Sequence, residues 1–443
     1  MSNNTDSIEQ GVEDAQRAAL KLATLSEAQR NEALHAIADA IDSHHEAILK
    51  ENKKDVRHGE ELLAKGEYSQ ALVDRLKLSE SKLESISEMV RSVAQQEDPL
   101  EKTLTARHLD HGLDLYKVAV PIGVVGTVFE SRPDALVQIA ALSLKSGNSV
   151  ILKGGSEAKH SNRVLYRLII EATSDIPAGW AQHIEAREEV TALLAMDEKI
   201  DLLMPRGSSE FVQYIQDNTS IPVLGHTEGV CHVFVDKKAD LQMASDVAFD
   251  AKVQYPAVCN AVETLLVHES VADAYLPDIV SRYEEAGVEV RGDEKTQSYV
   301  EVEDATEKDW ATEYGDRIIS VRVIDSLVDA IDHITTYSSK HTESIITEDS
   351  DRAEQFMRNL DSASVFHNAS TRFSDGYRFG LGAEVGISTG KIHARGPVGL
   401  EGLTTYKYHL EGDGHIVASY AGEDAIPFQH EEFDGTWPPT ADK

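Results

Sequence analysis

The stretch V-A-V-P-I-G-V-V-G-T-V-F at 118–129, then D-A-L-V-Q-I-A-A-L-S-L-K-S-G-N at 134–148 and S-V-I-L-K-G-G at 149–155, decides the fold. The outer runs are apolar and bounded by turn residues, while the middle run has the length of a buried helix. Strand, helix and strand in succession make a βαβ unit, which implies a parallel sheet covered by helices. The helix is expected to close at Ser146, Gly147 and Asn148, because Gly or Asn accepts the left-handed conformation at a helix end.

Upstream, residues 8–98 carry helical periodicity, with Ala33, Leu34, Ile37, Ala38 and Ile41 spaced to form one apolar stripe. Between this helical layer and the βαβ unit, Thr103 to Leu115 alternates in character around D-H-G at 110–112, which predicts a hairpin placed to reach a second subunit. Downstream, strands are predicted in H-V-F-V-D at 232–236, T-L-L-V-H at 264–268, I-I-S-V-R-V-I at 318–324 and S-V-F-H at 364–367. The residues from Phe428 to Lys443 read as an acidic mobile tail.

Composition bounds the function. A chain of 443 residues exceeds what one hydrophobic core usually supports, so two main domains are expected. Lys and Arg number 42 against 77 Asp and Glu, and the formal charge of -35 repels nucleic acid phosphates and anionic lipid surfaces. Neither nucleic acid nor membrane is expected as a partner. The acidic residues run from Glu9 to Asp442 among apolar segments, so they describe a solvated surface rather than disorder. Strong salt screens the repulsion within such a surface, which predicts a salt-adapted, halophilic protein. The amino terminus M-S-N-N-T-D-S-I-E-Q lacks the basic and apolar regions of a signal peptide, and a soluble cytoplasmic protein is expected.

Only two cysteines are present, too few for a disulfide framework. Cys259 lies in K-V-Q-Y-P-A-V-C-N-A-V-E-T-L-L-V-H, after a proline break and before an apolar strand, hence in a loop that could present a nucleophile. A thiolate attacks an acyl carbon to give a thioester that a hydride can reduce. The plainer reading, a small buried hydrophobe, stands beside it, and Cys231 keeps only that reading.

Three glycine-bearing segments could hold a ligand. V-I-L-K at 150–153 runs into G-G-S-E at 154–157, where glycines admit close backbone approach and Lys153 supplies charge. It is not the G-x-G-x-x-G fingerprint of standard dinucleotide folds. M-P-R-G-S-S-E at 204–210 sets Gly207, Ser208 and Ser209 at a helix start, which either binds an anion or is simply capped by a serine. The run from Arg378 to Leu403 holds seven glycines and is expected to form a ligand-facing loop. The 18 histidines show no ligand spacing with Cys or carboxylate, so no metal is expected.

Together, V-P-I-G-V-V-G-T-V-F-E-S-R-P, L-K-S-G-N-S-V-I-L-K-G-G-S-E-A, Q-Y-P-A-V-C-N-A-V-E-T-L-L-V, N-A-S-T-R-F-S-D-G, F-G-L-G-A-E-V-G-I-S-T and K-I-H-A-R-G-P-V-G-L resemble the γ-glutamyl phosphate reductases, a branch of the aldehyde dehydrogenase superfamily. The resemblance implies an α/β fold, aldehyde-dehydrogenase-like, with two parallel-sheet domains and an oligomerisation hairpin at about 103–117. Residues 1–225, rejoined by about 390–427, would bind the cofactor, and 226–389 would form the catalytic domain. The implied reaction is reduction of L-glutamyl 5-phosphate by NADPH to L-glutamate 5-semialdehyde and phosphate, the second step from glutamate to proline. A homo-oligomer and functional coupling to glutamate 5-kinase are implied with it.

By the same resemblance Cys259 is the nucleophile. Lys153 and Glu157 fall where the adenine ribose is held, Gly207, Ser208 and Ser209 lie near the dinucleotide, and Glu313 lies at the nicotinamide ribose. Substrate anions need cationic or amide partners, and Arg132, Arg206, Arg372, Arg395 and Asn260 are the candidates, with surface ion pairs the plainer role for each arginine. Hydrolytic aldehyde dehydrogenases carry E-L-G-G, whose Glu activates water. The matching stretch here reads V-L-G-H-T-E-G-V-C-H with Glu228 out of register, which favours a reductase. The oxyanion donor stays open: Asp134 near the superfamily's Asn position would repel an oxyanion, leaving the Cys259 amide with Arg132 or Asn260. Two other readings are a hydrolytic semialdehyde dehydrogenase and a noncatalytic scaffold of the same fold.

Overall fold

The computed structural model describes residues 2–185 and 188–439. Five helices precede the first strand, at 2–22, 27–43, 45–64, 70–76 and 80–95. The second starts at a capping box in which Ser26 and Gln29 satisfy one another's backbone amides. Its expected stripe of Ala33, Leu34, Ile37, Ala38 and Ile41 is buried, each larger side chain contributing about 1.5–3 kcal/mol of hydrophobic stabilisation.

A hairpin follows, β1 (Thr103–Asp110) and β2 (Leu113–Pro121), turned at Gly112 with φ +71°. The strand expected to run unbroken from Val118 is divided. Val118–Pro121 completes β2, and Gly123 at φ +132° turns the chain into β3 (Val124–Phe129). Only glycine fits there, since a Cβ would lie 2.2 Å from Asp201 Oδ2, which accepts the Val124 amide.

β3 pairs with β4 (Ser149–Gly154) on one side, and β5 (Ala181–Ile184) lies beyond β4. On the other side of β3 lies β6 (Leu202–Arg206), and all four strands are parallel. The helix Pro133–Lys145 crosses from β3 to β4 and ends as expected, with Gly147 at φ +71° and the Asn148 amide donating to Ser143 O.

The second sheet has seven parallel strands. In chain order they are β7 (Cys231–Val235), β8 (Val262–His268), β9 (Glu289–Gly292), β10 (Glu303–Asp304), β11 (Ile318–Ile324), β12 (Thr342–Ile346) and β13 (Ser364–His367). Across the sheet they lie in the order β10-β9-β11-β8-β7-β12-β13.

The glycine-rich run forms a small ribbon, β14 (Gly386–Ser388) with β15 (Gly396–Val398). Ala383, Val385, Val398, Leu400 and Leu403 of this region pack in the core around the first sheet. The chain then adds β16 (Thr404–Glu411) to the hairpin beside β2. The segment from Phe428, expected as a mobile tail, is instead built into the same sheet. β17 (Glu431–Phe433) pairs with β1, Phe433 stacks on His108 at 3.9 Å and Trp437 on His409 at 3.7 Å. Its acidic composition concealed these aromatic anchors; residues 440–443 lie outside the described residues.

Candidate active site

β3, β4 and β6 end level, with Phe129 paired to Gly154 on one side and to Arg206 on the other. β3 is the first of these strands in the chain, with β4 and β6 on opposite sides of it, so the strand order reverses between β3 and β6. Ligands of open α/β sheets sit in the crevice outside the carboxyl ends at such a switch point. Of the residues expected to hold a cofactor, Lys153 lies on β4, Glu157 in the segment after it and Gly207, Ser208 and Ser209 in the segment after β6, while Glu313 lies ahead of β11 in the second sheet.

Lys153 is buried and its Nζ donates to Gly154 O at 2.6 Å. Glu157 Oε1 accepts from the Ser131 amide at 2.6 Å and from Ser131 Oγ at 2.9 Å. The helix Ser209–Asp217 begins at Ser208, whose side chain makes no capping bond and whose amide donates to Glu130 Oε2 at 3.1 Å. Burial pushes the Glu130 carboxyl above its ordinary range, Glu157 adds to this and the Ser208 amide opposes it. An ammonium, helix-start amides and two carboxylates on adjoining turns fit the phosphates and ribose hydroxyls of a dinucleotide.

The second sheet supplies its residues from the opposite ends of its strands. Gly229 stands just before β7, Cys259 and Asn260 before β8, Glu313 before β11 and His341 before β12. Cys259 and Asn260 are the central residues of a turn closed by the Ala261 amide donating to Val258 O at 2.9 Å, and the Cys259 side chain is half-buried. Gly229 backs this turn so closely that a Cβ would lie 2.1 Å from Cys259 O. The Gly229 amide donates to Glu313 Oε2 at 2.9 Å, so Glu313 is in the surroundings of Cys259 and fixes the strand behind it.

Cys231, read from sequence as a plain hydrophobe, also acts on this turn. Burial pushes its thiol well above the ordinary value, so it stays protonated, and its Sγ donates to Cys259 O at 3.2 Å. Asn260 is buried, and its Nδ2 donates to Ser374 O at 2.8 Å, which ties the Cys259 turn to the loop bearing Arg372.

Two guanidinium groups, those of Arg206 and Arg372, lie within electrostatic reach of the Cys259 thiol, and Arg132 neighbours Arg206. Arg372 is buried, with Nε donating to Gln254 Oε1 at 2.9 Å, and Arg206 Nη1 donates to Gln138 Oε1 at 3.4 Å. Burial lowers the pKa of Arg206, neighbouring Arg132 lowers it further, and Glu384, Asp134 and Cys259 oppose them. Arg372 is likewise lowered by burial and by Arg378, against Asp375 and Cys259. Among the described residues none of Arg132, Arg206 and Arg372 forms an ion pair. Arg395 does not share this state, since Nη1 donates to Asp361 Oδ1 at 2.9 Å and Nη2 to Asp361 O at 2.7 Å. Asp134 faces Lys82 at 3.4 Å and Glu228 is exposed.

Two site histidines escaped sequence reading. His226, Cys259 and His341 each bring a donor atom to a cluster in which all three atoms lie within 4.8 Å of one another. His226 Nδ1 donates to Ile387 O of the glycine-rich ribbon at 2.9 Å. Linear spacing hides the cluster because its members come from three separate segments; only the V-L-G-H stretch, inspected for E-L-G-G, touched it.

With this geometry in view, the similarity to known proteins is informative. Residues 2–298 match the model of the aldehyde dehydrogenase family. Curated proteins named gamma-glutamyl phosphate reductase are similar throughout. That of Natronomonas pharaonis is 74% identical, with 98% of this chain and 100% of the relative covered. That of Haloquadratum walsbyi is 71% identical, with 97% and 96% covered. The crystal structure of gamma-glutamyl phosphate reductase from Thermotoga maritima superposes with a TM-score of 0.89 at 41% identity, covering 92% of this chain and 99% of that one. The chain belongs to the aldehyde dehydrogenase family, in the branch of the γ-glutamyl phosphate reductases.

As a member of that branch it is an oxidoreductase, and the family works with a nicotinamide dinucleotide. The two curated relatives come from halophilic archaea, in keeping with the acidic surface. Among the described residues no helix is long and apolar enough to cross a membrane.

Proposed function

We propose that the enzyme reduces L-glutamyl 5-phosphate to L-glutamate 5-semialdehyde with NADPH, through a thioester on Cys259, as the second step from glutamate to proline. The observation that carries this reading is the trio Arg132, Arg206 and Arg372, which form no ion pair among the described residues, with Arg206 and Arg372 near the Cys259 thiol in a chain of net charge -35. Cations without a direct ion-pair partner in so acidic a protein suit an anionic ligand, and guanidinium suits both phosphate and carboxylate.

Cys259 Sγ attacks the acyl carbon, the C–O bond to phosphate breaks, and phosphate leaves into the guanidinium groups. The thiol proton passes to a histidine nitrogen, since His226 keeps Nε2 free when Nδ1 donates to Ile387 O. The Cys259 amide and Arg132 are the groups available to the developing oxyanion. Asn260 serves better as a positioning residue, because its amide group holds Ser374. Lys153, Glu157, Gly207, Ser208, Ser209 and Glu313 would hold NADPH, which supplies the hydride. No E-L-G-G glutamate is in register to activate water, since Glu228 is exposed, and this disfavours hydrolysis of the thioester.

We place the cofactor with the first sheet and the nucleophile with the second, in a cytoplasmic homo-oligomer. Exposed Tyr406, Tyr408 and Leu410 on β16 suit self-association. An acyl phosphate hydrolyses readily in water, so coupling to the glutamate 5-kinase that forms it would serve the pathway.

The test is the reverse reaction, NADP reduction by the purified enzyme with pyrroline-5-carboxylate in molar KCl, beside Cys259→Ala. The proposal expects a signal that requires both phosphate and Cys259. Phosphate-independent oxidation would point to a hydrolytic dehydrogenase, and no signal from folded enzyme would overturn the substrate.

A further inference from the structure

The same thiol has a second chemistry available to it. One ligand atom from each of His226, Cys259 and His341 lies within 4.8 Å of the other two. Sulfur with two imidazole nitrogens is a donor set that suits a borderline-soft divalent cation.

The hydrogen bonding orients both imidazoles for this. Ile387 O can only accept, so His226 Nδ1 carries the proton in that 2.9 Å bond and Nε2 keeps its lone pair. His341 is fully buried, and its Nδ1 lies 2.9 Å from Thr342 Oγ1 and 3.7 Å from Cys231 Sγ. Cys231 gives its own S–H to Cys259 O, so it does not supply a proton to that ring. With Nδ1–H donating to Thr342 Oγ1, His341 Nε2 is also a lone pair, and it is a buried atom with no hydrogen-bond partner. An acceptor hydrogen-bonded to Nδ1–H is the arrangement that fixes the tautomer of a metal-binding histidine.

We propose that Cys259 Sγ, His226 Nε2 and His341 Nε2 form a three-ligand site for a thiophilic divalent cation such as Zn2+, in competition with the acyl substrate. Binding exchanges the Cys259 S–H bond for S–Zn and releases that proton to solvent, with no change of oxidation state. Tetrahedral zinc, with bonds of about 2.3 Å to sulfur and about 2.0 Å to nitrogen, sets its ligands roughly 3.5 Å apart. The cluster, whose atoms lie up to 4.8 Å apart, therefore closes by at most about 1.3 Å, within the reach of side-chain rotation. The fourth position is left to water. A thiolate bound in this way cannot attack a carbonyl, so zinc inhibits reversibly and shields the thiol from alkylation.

The test uses the full chain in molar KCl with Zn2+, and Co2+ as a spectroscopic stand-in. Zinc affinity and stoichiometry come from competition with a chromophoric chelator. His226→Gln is the working variant because His226 is only half-buried, whereas replacing fully buried His341 risks the fold. The expected results are one ion per chain, a thiolate-to-cobalt charge-transfer band lost in Cys259→Ser, and affinity at least about tenfold weaker in His226→Gln. Inhibition is expected to be relieved by EDTA and by acyl substrate. Unchanged zinc affinity in both variants, or a cobalt spectrum without the thiolate band, overturns the site. This proposal shares Cys259 with the catalytic reading but fails separately. Loss of turnover in Cys259→Ser with unchanged zinc affinity removes only the metal site, while retained turnover with lost zinc affinity removes only the nucleophile.

Discussion

The two sheets contribute to one cleft from opposite ends of their strands. The first offers the segments that follow β3, β4 and β6, where glycines and a helix start make backbone-rich cradles. The second offers residues that precede β7, β8, β11 and β12, single side chains held by the turns that enter a buried sheet. The first arrangement suits recognition of a large ligand through many weak contacts, and the second suits exact placement of one reactive atom. Binding and chemistry should therefore separate on mutation.

The largest effect is expected at Cys259, the nucleophile proposed for the second sheet. Cys259→Ser should lower kcat by about a thousandfold or more while leaving dinucleotide affinity intact, as read by fluorescence titration. A matching loss of dinucleotide affinity would break the division of labour. Next is Gly229→Ala, whose Cβ would meet Cys259 O at 2.1 Å. Displacing a nucleophile by about 1 Å costs about a hundredfold, so kcat should fall by that order with the dinucleotide KM unchanged; normal turnover would show that the turn relaxes freely.

On the first sheet, Lys153→Ala should raise the dinucleotide KM about tenfold with kcat largely kept. Steady-state kinetics in KCl checks it, and a loss confined to kcat would contradict the assignment. Sharper still is the contrast between arginines. Arg372→Ala should raise the KM for the acyl substrate about tenfold, whereas Arg395→Ala, already paired with Asp361, should change it less than about twofold. Reversed results would exchange their roles.

The smallest effect concerns stability, and both sheets share it. Burial lowers His183 on β5 to about 4, with Glu185 opposing and Lys153 reinforcing the shift. Burial, His232 and Arg322 lower His333, beside β11, to about 2. Between these values and the unfolded value of about 6.5, the unfolded chain binds more protons than the folded one. Stability contributed by neutral histidine is thus present above about pH 6.5 and lost as pH falls toward 4. The midpoint of thermal unfolding in KCl should drop across that window, and His183→Gln should flatten the drop; an equal drop in the variant would discard His183 as its source.

The same contrast explains what the sequence disclosed. Residues after parallel strands announce themselves, because glycine pairs and helix starts leave contiguous strings such as L-K-G-G-S-E. Cys259 was legible for the same reason, with Y-P-A-V-C-N immediately before an apolar strand. His226 and His341 were not, since one lies in the loop ahead of β7 and the other directly ahead of β12, and their meeting depends on the order β8-β7-β12. β12 itself was missed because it begins T-E-S, polar residues that usually mark a turn. In the fold they are fully buried, and Glu343 is satisfied by the amide and Nδ1 of His232, both at 3.0 Å. The paired state of Arg395 is also a tertiary fact, set by Asp361 from another segment.

The central claim is that Cys259 carries the acyl group as a thioester that phosphate, not water, releases. Rapid mixing of the enzyme with NADP and glutamate 5-semialdehyde, without phosphate, tests it directly. The account predicts a burst of NADPH stoichiometric with chains, absent in Cys259→Ala, followed by steady turnover only when phosphate is added. Sustained NADPH formation without phosphate, or turnover with phosphate but no burst, would contradict it.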